Sequence, residues 1–189
     1  MNKKDLRALY LQKRKDLHPQ EMERLSESIL ERFSSLSFQH IHYLHLFYPI
    51  TGKHEFNSLL LVNWLKVHQP QIKLVLPKSN FEDNTLSTIL WEEETPLAMN
   101  QWGITEPVHG TEIAEVKIDM VLVPLVALDK NGNRLGYGKG FYDRFLSTCR
   151  PDTQKVGISF FEPEEQFAEV NAFDVPLSKC ICPDKIWEF

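Results

Sequence analysis

The sequence predicts an α/β fold: one open, mostly parallel sheet flanked by helices, in a single domain spanning residues 1–189. Three observations predict it. Short β-branched or aromatic runs alternate with helical stretches of about 10–15 residues, the pattern of crossover units. The run IDMVLVP at 118–124 is apolar save for Asp119 and ends at a proline, as a central buried strand does. No repeat, low-complexity segment or linker divides the 189 residues, a length that buries roughly two thirds of its unfolded surface in one core.

Taken in order, residues 3–16 carry Leu6, Leu9, Tyr10, Lys13 and Leu17 at helical spacing with basic residues between them, so the chain opens on a helix. His18-Pro19 ends it. Pro19 opens a second helix to about residue 36, with Met22, Leu25, Ile29, Leu30 and Phe33 as its apolar stripe. Residues 41–48 read as a buried strand, broken by PITG at 49–52, and 56–67 as a helix. Residues 72–76 form a short strand closed by Pro77, and 86–91 another. The span 92–115 has no clear period and reads as a long ordered loop. After strand 118–124 a helix restarts at 141–149, a strand follows at 155–160, and the tail 175–187 holds one or two more. The expected architecture is a Rossmann-like, three-layer α/β/α sandwich.

Composition narrows the function. With 21 Lys and Arg against 26 Asp and Glu, the net charge is −5. A polyanion such as nucleic acid is therefore not expected as a partner, and any anion site must be a local basic pocket. No apolar run approaches the ~20 residues that cross a bilayer. The three cysteines, Cys149, Cys180 and Cys182, and the charged start MNKKDLR suggest a reduced, cytoplasmic protein. Cys180 and Cys182 lack metal-knuckle or redox spacing and fit a strand. His40, His42 and His45 tempt a metal reading, but on a strand the first two share a face opposite the third, which favours a structural role.

The chemistry concentrates in NRLGYGKGFYDRFL at 133–146, where Gly136, Gly138 and Gly140 alternate with Arg134 and Lys139 around them. Glycine admits positive φ and brings backbone N–H groups close to a ligand. Successive N–H groups and a helix starting at Phe141 make an anion nest, which the two cations complement. This is not a Walker A loop, because no Ser or Thr follows Lys139 and the first glycine is missing. It is not the dinucleotide fingerprint, since its third glycine falls one place early. Asp143, in the first helical turn, would repel a phosphate unless Mg²⁺ stood between them. A tight surface turn, with Phe141 and Phe145 packing one helical turn apart, is the bland alternative. A non-catalytic sensor of sugar phosphates or acyl-CoA on an open α/β sheet is the functional one.

The stretch RLGYGKGFYD at 134–143, about ten residues after the strand ending at Pro124, resembles the signature of the 5-formyltetrahydrofolate cyclo-ligase family. KKDLR at 3–7, Glu55 after the first strand, WGITEP at 102–107 and DVPL at 174–177 agree in order, so the resemblance covers nearly the whole chain. It implies a cytoplasmic enzyme, expected as a monomer, acting on two small molecules: ATP and 5-formyltetrahydrofolate, with Mg²⁺. The product would be 5,10-methenyltetrahydrofolate, formed as the formyl oxygen attacks the γ-phosphate and N10 closes the ring. By position, Lys3, Lys4 and Arg7 would hold ATP phosphates with Arg134, Leu135, Gly136, Tyr137, Gly138, Lys139, Gly140, Phe141 and Tyr142. Glu55 would bind the pterin, and residues Tyr137, Gly138, Lys139, Gly140 and Phe141 would also line the folate side. Asp143 and Asp174 would hold the Mg²⁺. The aromatics Phe47, Tyr48 and Trp102 suit either the wall of a flat-ring site or core packing.

Overall fold

A computed structural model describes residues 1–189. Helix α1 (Lys3–Asp16) begins where the Asn2 side chain accepts from the Asp5 N–H at 2.9 Å, and its last turn is basic, which complements the helix dipole. Helix α2 (Pro19–Ser34) opens on proline. Then come β1 (Tyr43–His45), α3 (Leu59–His68), β2 (Lys73–Asn80), β3 (Thr85–Leu90), the short β4 (Leu97–Met99) and β5 (Thr105–Pro107), and β6 (Met120–Val123). The chain continues through β7 (Ala127–Leu128), β8 (Arg134–Leu135), α4 (Phe141–Thr148), β9 (Gln154–Ile158), β10 (Lys179–Ile181) and β11 (Ile186–Glu188). No helix is long and apolar enough to cross a membrane.

Seven strands form one sheet in the order β11-β10-β9-β6-β1-β2-β3. The five inner strands are parallel neighbours, and only β3 and β11 run antiparallel at the edges. Alternation along the strands divides the core into two layers. Leu44, Leu74, Leu76, Leu122 and Val156 face α2 and α3, whose Ile29, Phe33, Leu61 and Leu65 cover them. Val75, Val121, Val123 and Cys180 face α4, which contributes Phe145 and Leu146. Each such fully buried side chain stabilises the fold by about 1.5–3 kcal/mol. Helix α1 lies apart from both layers: Leu6 and Tyr10 pack on Val126, Ala127, Leu135 and Phe167, beyond the carboxyl end of β6.

The predicted fold class is the observed one, and the differences are local. Strand β1 is three residues long rather than eight, because the His42 and Tyr43 N–H groups bond to the Asp119 carboxylate at 2.8 and 3.0 Å instead of extending the ladder. His40 and His42 therefore lie outside the strand. His45 is fully buried, its ring 4.7 Å from that of Phe145. Helix α3 starts at Leu59 rather than 56, with Ser58 committed to the Phe47 carbonyl at 2.6 Å. Strand β2 runs through Pro77 instead of stopping there. Pro77 shares the parity of Val75, whose carbonyl accepts from Leu46, so its missing N–H falls on the β1 side, past the end of β1.

The span expected as a loop contains the β4–β5 ribbon, whose turn is held by Asn100 accepting from the N–H groups of Trp102 and Ile104. The β7–β8 hairpin has no counterpart in the sequence reading. It is built around the fully buried Asp129, which accepts from the N–H groups of Asn131, Asn133 and Phe167 and from the Asn133 amide. The tail forms two strands, β10 and β11.

Candidate active site

The chain leaves β1 toward β2 on one side and β6 toward β9 on the other, so the neighbouring strands β1 and β6 mark a topological switch point. A crevice is expected outside the carboxyl ends of such strands. A cavity of about 710 Å³ opens there, lined by Phe47 and Tyr48 after β1, Ser79 on β2, and Pro124 after β6. Five basic residues (Lys3, Arg7, Lys53, Arg134, Lys139) and three acidic ones (Glu55, Asp143, Asp174) line it. The cavity is thus locally positive in a chain of net charge −5.

Every residue of the glycine stretch from Arg134 to Asp143 lines this cavity, as do Lys3, Arg7, Glu55 and Asp174. Lys4 does not. It is exposed on α1, one residue round from Lys3, whereas Lys3 and Arg7 share a face at four-residue spacing. Gly138 and Gly140 adopt φ of 98° and 74°, the left-handed region that side chains disfavour. A Cβ on Gly140 would also stand 2.8 Å from Nη1 of Arg144. Helix α4 starts immediately after Gly140 with no side-chain cap, which leaves its first N–H groups for a ligand.

Six of the eight charged groups in the cavity have a protein partner; the Lys53 and Lys139 ammonium groups have none. Arg134 is 8% exposed, held there by the β7–β8 hairpin, and its Nη2 donates to Asp143 Oδ1 at 2.7 Å. The same oxygen accepts from the Val175 N–H at 3.1 Å. Burial pushes the Arg134 guanidinium below its ordinary pKa, while the charges of Asp143 and Asp174 and the bond to Asp143 work against that shift. Lys3 Nζ donates to Asp174 Oδ2 at 2.6 Å, and the Asn171 N–H donates to the same oxygen at 2.9 Å. Burial opposes ionisation of Asp174, but the bonds from Lys3 and Asn171 and the charges of Lys3 and Arg134 prevail, holding its carboxyl below the usual range. Arg7 Nε donates to the Gly136 carbonyl at 2.8 Å and its guanidinium lies against Gly138. Glu55 accepts from the Tyr137 hydroxyl and from the Ile50 N–H, both at 2.7 Å. Burial and the nearby Glu55 charge raise the Tyr137 phenol, so it remains a protonated donor.

Sequence reasoning missed three contributors. Phe81, in the β2–β3 turn, stacks on Trp102 (5.5 Å, 28°) and meets Phe141 edge-on (5.3 Å), so three rings wall one side of the cavity. Nothing in the sequence marked it. Lys53 lines the cavity from the turn after Pro49. Arg14 is buried behind the glycine stretch, with Nη1 3.3 Å from the Tyr137 hydroxyl and Nη2 bonded to the Leu125 carbonyl. A signal for Arg14 did exist: with Lys3, Arg7 and Tyr10 it completes one face of α1 at offsets of four, three and four.

Comparison with known proteins places the chain among relatives of one family. The family model described as the 5-formyltetrahydrofolate cyclo-ligase family matches residues 1–179. The 5-formyltetrahydrofolate cyclo-ligase of Escherichia coli (strain K12) is 27% identical over 184 residues, which cover 94% of this chain and 98% of that protein. The NMR structure of Aquifex aeolicus 5,10-methenyltetrahydrofolate synthetase superposes with a TM-score of 0.83 at 32% identity, covering 100% of this chain and 93% of the other. A 5,10-methenyltetrahydrofolate synthetase from Mycoplasma pneumoniae gives a TM-score of 0.76 at 30% identity, with coverage of 96% and 98%.

Proposed function

The chain belongs to the 5-formyltetrahydrofolate cyclo-ligase family, and from that premise we propose that it cyclises 5-formyltetrahydrofolate to 5,10-methenyltetrahydrofolate in an ATP- and Mg²⁺-dependent reaction. The formyl oxygen attacks the γ-phosphorus and ADP leaves, giving a phosphorylated imidate. N10 then attacks the activated formyl carbon and gives up its proton. Inorganic phosphate then departs with the former formyl oxygen as its C–O bond breaks, leaving the methenyl carbon bridging N5 and N10 in the closed ring.

The observation that carries this reading is the convergence on one cavity of Lys3 and Arg7 from α1, Arg134 and the glycine stretch, and Glu55. Phosphoryl transfer asks a protein for positioning and charge neutralisation more than for covalent chemistry. In this reading Lys3, Arg7, Arg134 and the N–H groups before α4 hold the phosphates. Glu55 accepts from the amidine edge of the pterin, and the Phe81, Trp102 and Phe141 rings flank a flat substrate.

No three His, Cys, Asp or Glu side chains are grouped to hold a metal by themselves. Asp143 and Asp174 each have one oxygen engaged by protein donors and a second without a protein partner. That donor set fits Mg²⁺, which keeps several waters and binds through one or two carboxylates together with substrate phosphates. Bound there, the metal would neutralise charge developing on the transferring phosphoryl group.

The test mixes protein, Mg-ATP and 5-formyltetrahydrofolate and follows methenyl product by absorbance and ADP by a coupled assay. Equal amounts of both, only with Mg²⁺, are expected. ADP without methenyl product would mean another ATPase, and folate or phosphate binding without turnover would mean the sensor.

A further inference from the structure

On the reading that Glu55 holds the pterin, we infer that Arg14 is a positioning residue for the folate end of the cavity, acting on Glu55 through the hydroxyl of Tyr137. Helix α1 lays Lys3, Arg7, Tyr10 and Arg14 along one face, toward the β7–β8 hairpin and the glycine stretch. Arg7 grips the backbone of that stretch at Gly136, and Arg14, two turns on, reaches the side chain of Tyr137.

Arg14 is 5% exposed and forms no ion pair. A buried guanidinium is costly without a compensating negative charge. Its route to one is indirect: Nη1 donates to the Tyr137 hydroxyl at 3.3 Å, and that hydroxyl donates to Glu55 Oε1 at 2.7 Å. Direction follows from the donor inventory. A guanidinium only donates and a phenol has one hydrogen, so a hydroxyl that accepts from Arg14 must give its hydrogen to Glu55. Charge therefore runs in order from the Arg14 cation through Tyr137 to the Glu55 anion. The second oxygen of Glu55 is fixed by the Ile50 N–H at 2.7 Å. The carboxylate is held at both oxygens, each keeping a lone pair for a ligand. Glu55 and Tyr137 line the cavity and Arg14 does not, so Arg14 acts only through its neighbour.

The experiment measures methenyl formation by the full chain, together with equilibrium binding of 5-formyltetrahydrofolate and of ATP, for Arg14→Met, Arg14→Lys, Tyr137→Phe and the double variant Arg14→Met/Tyr137→Phe. Expected are a roughly tenfold weaker folate affinity in Arg14→Met and in Tyr137→Phe, and, in Arg14→Met, ATP affinity within about twofold of wild type. The double variant should be no worse than the weaker single, and Arg14→Lys, which keeps a cationic donor, should recover most of the loss. Multiplicative losses in the double variant, equal weakening toward ATP in Arg14→Met, or unchanged folate affinity would each overturn the inference. If Arg14→Met does not fold, Tyr137→Phe and Arg14→Lys decide it: wild-type folate affinity in Tyr137→Phe refutes the relay. A wild-type protein that forms no methenyl product would sink the proposed function itself, a result separate from any variant's.

Discussion

Replacing Asp143 by Asn separates what this carboxylate does for the fold from what it does for a metal. The amide keeps an oxygen for Arg134 Nη2 (2.7 Å) and the Val175 N–H (3.1 Å), so no buried donor is orphaned and only the charge is lost. Arg134 stays charged, so its bond falls from the upper to the lower end of the range of about 1.5–3 kcal/mol for hydrogen bonds to charged groups, a weakening of about 1–1.5 kcal/mol. Loss of a carboxylate from the first turn of α4 adds about 0.3–1 kcal/mol. The total, about 2 kcal/mol, lowers Tm by roughly 4–8 °C for a chain of this size. Asp143→Ala is expected to be worse. It strands the Arg134 side chain, 5% exposed, without its carboxylate, and breaking a buried pair costs roughly 3–5 kcal/mol. If Asp143 also holds Mg²⁺, Asp143→Asn slows turnover by roughly 10²-fold or more and raises the Mg²⁺ needed for half-maximal rate. Folate binding without ATP stays unchanged. Calorimetry gives the first quantity and methenyl absorbance against Mg²⁺ concentration, read well below Tm, gives the second. Full turnover at wild-type Mg²⁺ with a lowered Tm would leave Asp143 only as the counter-ion of Arg134. An unchanged Tm would refute the ion-pair argument.

Lys3→Ala and Arg7→Ala should each weaken ATP binding, measured by titration calorimetry, by roughly ten- to a hundredfold, since a charge-assisted contact is worth about 1.5–3 kcal/mol. Unchanged affinity in both would return α1 to a solvated role. Gly157→Ala should lower Tm by several degrees: its Cβ would stand 2.7 Å from side-chain atoms of Leu125 and Leu177, and such overpacking costs about 1–3 kcal/mol. His45 is fully buried, neither ring nitrogen has a partner, and burial pushes its pKa down to about 3. A depressed histidine pKa adds stability above the unfolded value of about 6.5 that is lost as pH falls toward 3, at about 1.4 kcal/mol per pH unit. His45→Phe should remove that slope in denaturant melts between pH 6.5 and 4, and an identical slope in the variant would refute it.

The sheet was legible because a buried parallel strand and an amphipathic helix write their periods into adjacent residues. What escaped was structure made by distant partners. The β7–β8 hairpin depends on a buried Asp129 whose fourth donor, the Phe167 N–H, lies 38 residues away. The β4–β5 strands, three residues each, are too short to show a period. Strand β2 continues through Pro77 only because β1 has already left the sheet, which no local rule contains.

The site divides the same way. Gly136, Gly138 and Gly140 announce a backbone that must approach a ligand, and Lys3 with Arg7 announces a charged helix face; both are properties of neighbouring residues. Pairing is not. Arg134 and Asp143 are nine residues apart on a strand and a helix, Lys3 and Asp174 are separated by 171 residues, and Arg14 and Tyr137 by 123. Yet pairing is what allows the cavity to exist in the empty protein. Like charges gathered in one partly buried cavity repel, so Lys3 and Arg134 without acids beside them would strain the fold. Asp174 and Asp143 offset that repulsion. Under the proposed function, a triphosphate entering the cavity would compete with these internal partners, and its affinity would be the difference between two sets of contacts. On the same proposal, removing Lys3 would delete a phosphate contact and free Asp174 together, so the expected loss stays near one or two decades rather than the full strength of an isolated ion pair.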